Sequence, residues 1–544
     1  MSARLIRPFL AVVLILGCDL RGQIQPASHC VVPSNGAPAL PAKLLTGQGS
    51  IHFPITTANP DAQKFFEQGV AQMHSFWSRE AERSFLQAAA LDPQAPMPWW
   101  GVAMVAAGDY RPHFQLVRDK GSVPKINPPM QRALDAAKKA AQLAAVPGKA
   151  TDLEKLYVAS TTARREHPLN DAAADKAYIA KLREITAAFP EEVEARTYLA
   201  LHLMDGFTTP DRKPRPGTME AVAILKELAQ KAPEHPGVHH YVIHGWEGSS
   251  FAKDAWLSCE RYAALVPEIP HALHMPGHIY SQTGKLDEAR QSFTVAGNLE
   301  RAYMRADKDY GNGHHGHNIH YLAAVNAAAG RYDDAIAAAQ ELLAISETEA
   351  EKKQLDNSRT AYRQGWFAML RTLVWAERWD NLLSGSLLPA YNKPREQAWM
   401  HWARGIAFAA KGDAASARSE ASALRQALLD YEQQTKSKIP KELGVAEQEL
   451  HGHLVLASGK VSRGLKILEA ASSAERALRY NEPAFYPRPV AEAWGDASLR
   501  ANQLKMAEKA FRIAVHELPG SVRGERGLKQ ALSQSMTRAH AHAQ

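Results

Sequence analysis

From Gln63 to Pro93 the chain reads QKFFEQGVAQMHSFWSREAERSFLQAAALDP, and its Gly69, Ala81 and Phe85 stand at intervals that return further on. The same spacing recurs through Gly277, Ala289, Phe293 and Ala296, and again through Ala323, Gly330, Tyr332 and Ala335. Small residues at fixed places let the two helices of a hairpin approach closely, and a proline after Leu91-Asp92 ends the second helix. One such hairpin cannot bury its apolar face alone, so copies must stack. Poorer copies run from Ala221 to Pro233, Ala255 to Pro267, Trp402 to Leu424 and Glu492 to Pro519. No stretch alternates apolar and polar residues long enough for a sheet. Across 544 residues no shift of composition marks separate globules. The sequence therefore predicts an all-α solenoid of helical hairpins from 59 to 535, with irregular insertions at 110–130, 206–217 and 300–315.

The unit resembles the tetratricopeptide-repeat (TPR) consensus. That resemblance implies a right-handed superhelix in which the first helix of each hairpin lines the concave face and the second forms the outside. The repeats group into an N-terminal set at 59–205, a central histidine-rich set at 206–350 and a C-terminal set at 351–535, followed by a polar tail at 536–544. Copies between 130 and 205 match poorly.

Ahead of the repeats, Arg4 and Arg7 precede an apolar run from Phe9 to Leu16, and Ile15-Leu16-Gly17-Cys18 resembles the bacterial lipoprotein signal box. Residues 1–17 are expected to be a signal peptide and Cys18 the lipidated residue. An ordinary secretory signal cut elsewhere is the alternative. Either way the expected location is the periplasm or cell envelope, with membrane attachment through the lipid alone, or secretion. Residues 18–58, rich in Pro, Gly, Ser and Gln, read as a flexible tether. The net charge of +7 is dispersed over solvated helix faces, with no basic stripe and interleaved aromatics, so nucleic acid is not an expected partner.

Histidine is the residue whose distribution demands explanation. Eleven of the 23 histidines fall between His235 and His320, in the runs HHYVIH, HALHMPGH and HHGHNIH. His240 and His244 are four apart and share a helix face, and adding the TPR period of 34 gives His274 and His278. Aligned through Gly277 and Ala335, the repeats put His271, His274 and His278, then His317 and His320, at groove-facing places. Seven imidazoles on three adjacent first helices point to one patch. His74 has the same phase but is expected to lie several repeats away, whereas His314 and His315, in a Gly-rich run, are expected to be exposed loop residues.

The runs HYVIH (240–244), HMPGHIY (274–280) and HNIH (317–320) resemble those of a large group of bacterial exported TPR proteins, as do HSFWSREAERSF (74–85) and YNEPAFYPRPV (480–490). The resemblance implies the fold and no particular activity. The chemistry has to come from the residues. Imidazole is the commonest protein ligand for zinc, copper and non-haem iron, and two histidines four apart on a helix can reach one ion. His240, His244, His271, His274, His278, His317 and His320 are thus candidate ligands for a divalent transition metal, in a carrier, a sensor or a metal-dependent enzyme. The alternative is a metal-free scaffold whose concave groove holds a peptide or partner protein, with weaker contacts from His74, Glu482, Tyr486 and Arg488. Glu247, Asp307 and Asp309 are near in sequence but are not expected as ligands. No phosphate loop, dinucleotide fingerprint, G-x-S-x-G or H-E-x-x-H is present, so the corresponding NTPase, dehydrogenase, serine hydrolase and zincin chemistries have no support.

Overall fold

Helices begin where the sequence supplies a cap. Asn59 accepts from the N–H groups of Asp61 and Ala62 ahead of Pro60, and Thr151 and Glu154 form a reciprocal capping box. The computed structural model describes residues 36–112, 126–307 and 310–543. Among these residues the architecture is helical throughout, and the one bridge of β type, Phe207 to Pro214, is isolated.

Successive helices pair into antiparallel hairpins that stack in chain order, forming an all-α TPR-type solenoid. The hairpins include Pro60–His74 with Ser78–Leu91, Pro236–Trp246 with Trp256–Leu265, Pro270–Gln282 with Leu286–Ala306, and Gly313–Ala328 with Tyr332–Leu343. The spacing read from the sequence is the packing code of each pair. At Gly277 an added Cβ would lie 2.5 Å from the Phe293 ring, so only glycine lets the phenylalanine of the second helix lie against the first. The apolar faces merge between hairpins, with Phe66, Phe85, Trp100, Tyr157, Tyr198 and Tyr241 in one contiguous core.

Several expected boundaries differ. Residues 1–35, with the expected signal, Cys18 and the first part of the tether, lie outside the described residues. Residues 46–58 do not behave as a tether: Ile51 and Phe53 are buried, Phe53 packs against Phe66, Trp100 and Tyr157, and Gly47 accepts from Glu268 N–H at 3.0 Å. Apolar residues at 51 and 53 outweigh the Pro/Gly/Ser composition around them. The expected insertion at 300–315 is mostly helix, because Leu286–Ala306 runs long and the next helix already starts at Gly313. The last helix, Val522–Ala543, continues through most of the expected tail.

The array also folds back on itself. Arg83 of the first hairpin bridges to Asp307 at 3.1 Å, and Trp77 packs against Tyr303 and Tyr310. Glu517 near the C-terminal end pairs with Arg212 at 3.0 Å. Both end regions thus meet the central hairpins, and the histidine face is covered instead of lining an open groove.

Candidate metal centre

Three first helices carry the histidines. Pro236–Trp246 presents His240 and His244, Pro270–Gln282 presents His271, His274 and His278, and Gly313–Ala328 presents His317. Every one of these side chains is buried or nearly so, from fully enclosed at His240 and His274 to 8% exposed at His278. They sort into two triads, His240/His244/His271 and His274/His278/His317, in each of which one nitrogen per ring lies within 4.8 Å of the others. The Nε2 atoms of His240 and His271 are 3.1 Å apart, and His274 Nε2 stands 2.6 Å from His278 Nε2 and 3.1 Å from His317 Nε2. The triads adjoin, since the His271 and His274 rings stack with centroids 6.0 Å apart.

The far side of the rings fixes which nitrogen is available. His240 Nδ1 is bonded to the backbone carbonyl of His74, His244 Nδ1 to Glu247 Oε2 at 2.8 Å, His278 Nδ1 to Glu247 Oε1 at 2.8 Å, and His274 Nδ1 to Asn318 Oδ1 at 2.7 Å. The Asn318 amide is oriented by its own N–H bond to the Phe293 carbonyl at 2.8 Å. Each of those partners is an oxygen acceptor, so each Nδ1 must carry the proton and donate it. That leaves the Nε2 atoms of four rings turned inward, the orientation a metal-binding histidine with a hydrogen-bonded outer shell adopts.

Electrostatics separates the rings. Burial, reinforced by the neighbouring imidazoles, holds His240 and His271 well below the ordinary histidine range, so both are neutral. Burial would lower His278 too, but Glu482 and Glu247 outweigh it and push its pKa up to about 10. At neutral pH the His278 imidazolium is therefore itself the cation that offsets the two buried carboxylates, with its Nε2 proton toward His274, and a metal ion at that position would take the place of this proton. Tetrahedral zinc holds imidazole nitrogens at roughly 2.0–2.1 Å, which puts them about 3.3 Å from one another. The 3.1 Å separations of His240 from His271 and of His274 from His317 lie close to that spacing.

Aromatic residues wall the centre. Phe76, in the turn of the first hairpin, has φ 51° and lays its ring 4.5 Å from His240 and 5.4 Å from His244, centroid to centroid. A bulky residue held in the left-handed region is strained, and here the surrounding packing fixes it. Tyr262 stacks on His240 at 4.8 Å, and Phe293 lies 4.9 Å from His274.

Several expected positions change. His320 is buried but joins neither triad; its ring packs beside Phe367 at 5.9 Å. His74 is not remote: its carbonyl holds His240, its Nδ1 lies 3.0 Å from the Tyr241 hydroxyl and its Nε2 2.7 Å from Glu194. His314 and His315 are not exposed loop residues. Both are buried in the first turn of a helix and share Glu300, and His314 Nε2 lies 3.2 Å from His271 Nδ1. Their i, i+3 spacing from His314 to His317 was a usable signal, masked by the glycines around it. Of the C-terminal candidates, Glu482 reaches His278, whereas Tyr486 and Arg488 bond to Glu449, the latter at 2.9 Å. Asp307 is engaged with Arg83, and Asp309 lies outside the described residues.

His74, Glu194 and His235 form a third cluster of possible ligands. There His235 Nδ1 accepts from Val238 N–H at 3.2 Å, so its Nε2 carries the proton and donates to Glu194 at 2.9 Å. That cluster is a hydrogen-bonded support beneath His240.

No family model matches the chain, and no curated protein sequence matches it. Solved structures that it is similar to include the human IFIT1 dimer with m7Gppp-AAAA (11% identity, 88% of this chain and 91% of that one, TM-score 0.33), yeast Tom70 (12%, 89% and 90%, 0.29) and the P58(IPK) TPR domain (13%, 87% and 99%, 0.23). Likeness at that level transfers no ligand, partner or assembly.

Proposed function

We propose that this chain is an exported metal-binding TPR protein that holds two transition-metal ions side by side, one in each histidine triad. The observation that carries the proposal is the set of inward Nε2 atoms, each fixed by an oxygen acceptor on Nδ1 of the same ring. Imidazole-only donors suit zinc, copper or iron, and three protein ligands per ion leave a position for water or a substrate atom. A metal-dependent enzyme is therefore the activity this arrangement serves best, with the solenoid as the rigid frame. Export rests on the apolar run before Cys18.

A protein or peptide partner, the competing expectation, belongs on the outer helices or the ends of the array. The inner path from His74 to Arg488 is occupied by the protein's own contacts, Glu194 and Tyr241 at one end and Glu449 at the other.

The test is elemental analysis of mature protein purified without chelator. Two ions per chain in the parent are expected, with one in the His240→Ala/His244→Ala variant and one in His274→Ala/His278→Ala. A parent that takes up neither zinc, copper nor iron on reconstitution would refute the proposal.

A further inference from the structure

Glu247 closes the Pro236–Trp246 helix as its C-cap, its N–H bonded to the Ile243 carbonyl at 3.1 Å, and its side chain is 3% exposed. Its two oxygens serve different triads. Oε2 accepts from His244 Nδ1 at 2.8 Å, and Oε1 accepts from His278 Nδ1 at 2.8 Å. The two histidines sit on different helices and face different ion positions.

We propose that Glu247 is a positioning residue shared by both metal positions, so that one side chain sets the ligand geometry of the two triads together; this rests on the two-ion reading above. A carboxylate is planar, with its oxygens at a fixed separation. Its orientation toward His244 therefore dictates what it offers His278, and the converse. An acceptor behind a ligating imidazole fixes its tautomer and ring angle, and its loss typically weakens metal affinity 10- to 100-fold. Other outer partners act on one triad alone: the His74 carbonyl holds His240, and Asn318 holds His274. Glu482 gives His278 a second carboxylate, and the His314 ring lies against both triads, whereas the Glu247 carboxylate bonds Nδ1 of one histidine in each.

The experiment uses Co²⁺, whose visible bands report coordination geometry, titrated against a competing chelator. Two backgrounds isolate the positions: His317→Ala leaves only the first triad complete, and His240→Ala only the second. Glu247→Ala is expected to weaken the remaining ion by about tenfold or more in each background. It should also change the Co²⁺ bands while the helical circular dichroism and its melting profile stay close to the background's. Asn318→Ala, added to the same backgrounds, should weaken the second position only. Glu247→Gln, which keeps the volume, can accept from one imidazole only and should weaken at least one position. An effect of Glu247→Ala confined to one background, or absent from both, overturns the shared role while leaving two ions intact. Absence of Co²⁺ from the parent itself overturns the two-ion reading, and this inference with it.

Discussion

His274 and His278 lie one turn apart on the same helix with their Nε2 atoms 2.6 Å from each other, and each ring's Nδ1 is bonded to an oxygen, Asn318 Oδ1 and Glu247 Oε1. Two lone pairs cannot face each other at that distance without a cation between them. A proton on His278 or a metal ion meets the requirement, and the third nitrogen, from His317 at 3.1 Å, suits an ion more than a proton. The protein has built a cation position whose occupant is the first thing to establish.

If that occupant is a metal, it must stabilise the fold, since the triads join three hairpins that the unfolded chain separates. An ion at a free concentration 100 times its Kd adds about 2.7 kcal/mol. Differential scanning calorimetry should show Tm rising on addition of zinc or copper and falling back with chelator. The His274→Ala/His278→Ala variant should keep only the response of the first triad. An unchanged Tm at saturating metal would count against both positions.

Asn318 tests the outer shell in a different way. Asn318→Leu removes the acceptor for His274 Nδ1 and frees the imidazole to change tautomer, while Asn318→Asp keeps an oxygen in place. Competition titration should find the second ion weakened about 10- to 100-fold in the leucine variant and much less in the aspartate variant. Equal losses in both would mean that Asn318 acts through its N–H bond to the Phe293 carbonyl, which both variants lose, instead of through its oxygen.

How much of this was legible in the sequence follows from what each signal depends on. The hairpin code at Gly277 and Phe293 is local, so spacing alone revealed it, and the same phase put His240, His244, His271, His274, His278 and His317 on first helices. His320 shows the limit of phase: it falls at a groove-facing place by alignment, yet its ring lies against Phe367 and joins neither triad. The covering of the histidine face was not legible. It depends on contacts far apart in sequence, such as the His74 carbonyl with His240 and Glu482 with His278, which no repeat period encodes. His314 and His315 were missed because Gly311, Gly313 and Gly316 suggested a loop, whereas tertiary burial of Glu300 and its two histidines fixes a helix there.

The contact between the first hairpin and the central helices hinges on Gly237. A Cβ there would lie 2.4 Å from His74 Nδ1, closer than any real contact. Gly237→Ala should therefore destabilise by about 1–3 kcal/mol, the usual range for overpacking. The cost should shrink in a His74→Ala background, where the obstructing ring is gone. Urea unfolding of the two single variants and the double variant gives the coupling energy; additivity would show that Gly237 is needed for another reason.

Glu475 supplies a pH dependence away from the histidines. Its Oε2 accepts from Val490 N–H at 2.8 Å. Burial, together with the Glu449 charge, outweighs that bond and the nearby Arg488, pushing the pKa from 4.5 up to about 8. A carboxyl with a raised folded-state pKa contributes its stability fully below the unfolded value, and the contribution is lost as pH climbs from about 4.5 to about 8. Glu475→Gln keeps the acceptor for Val490 and removes the ionisation. The variant should match the parent near pH 4, gain on it through neutral pH, and hold a constant advantage above pH 8, on the order of 1 kcal/mol or more. Melting curves from pH 4 to pH 9 decide it: a stability difference that does not change with pH would mean that Glu475 ionises as freely in the folded chain as in the unfolded one.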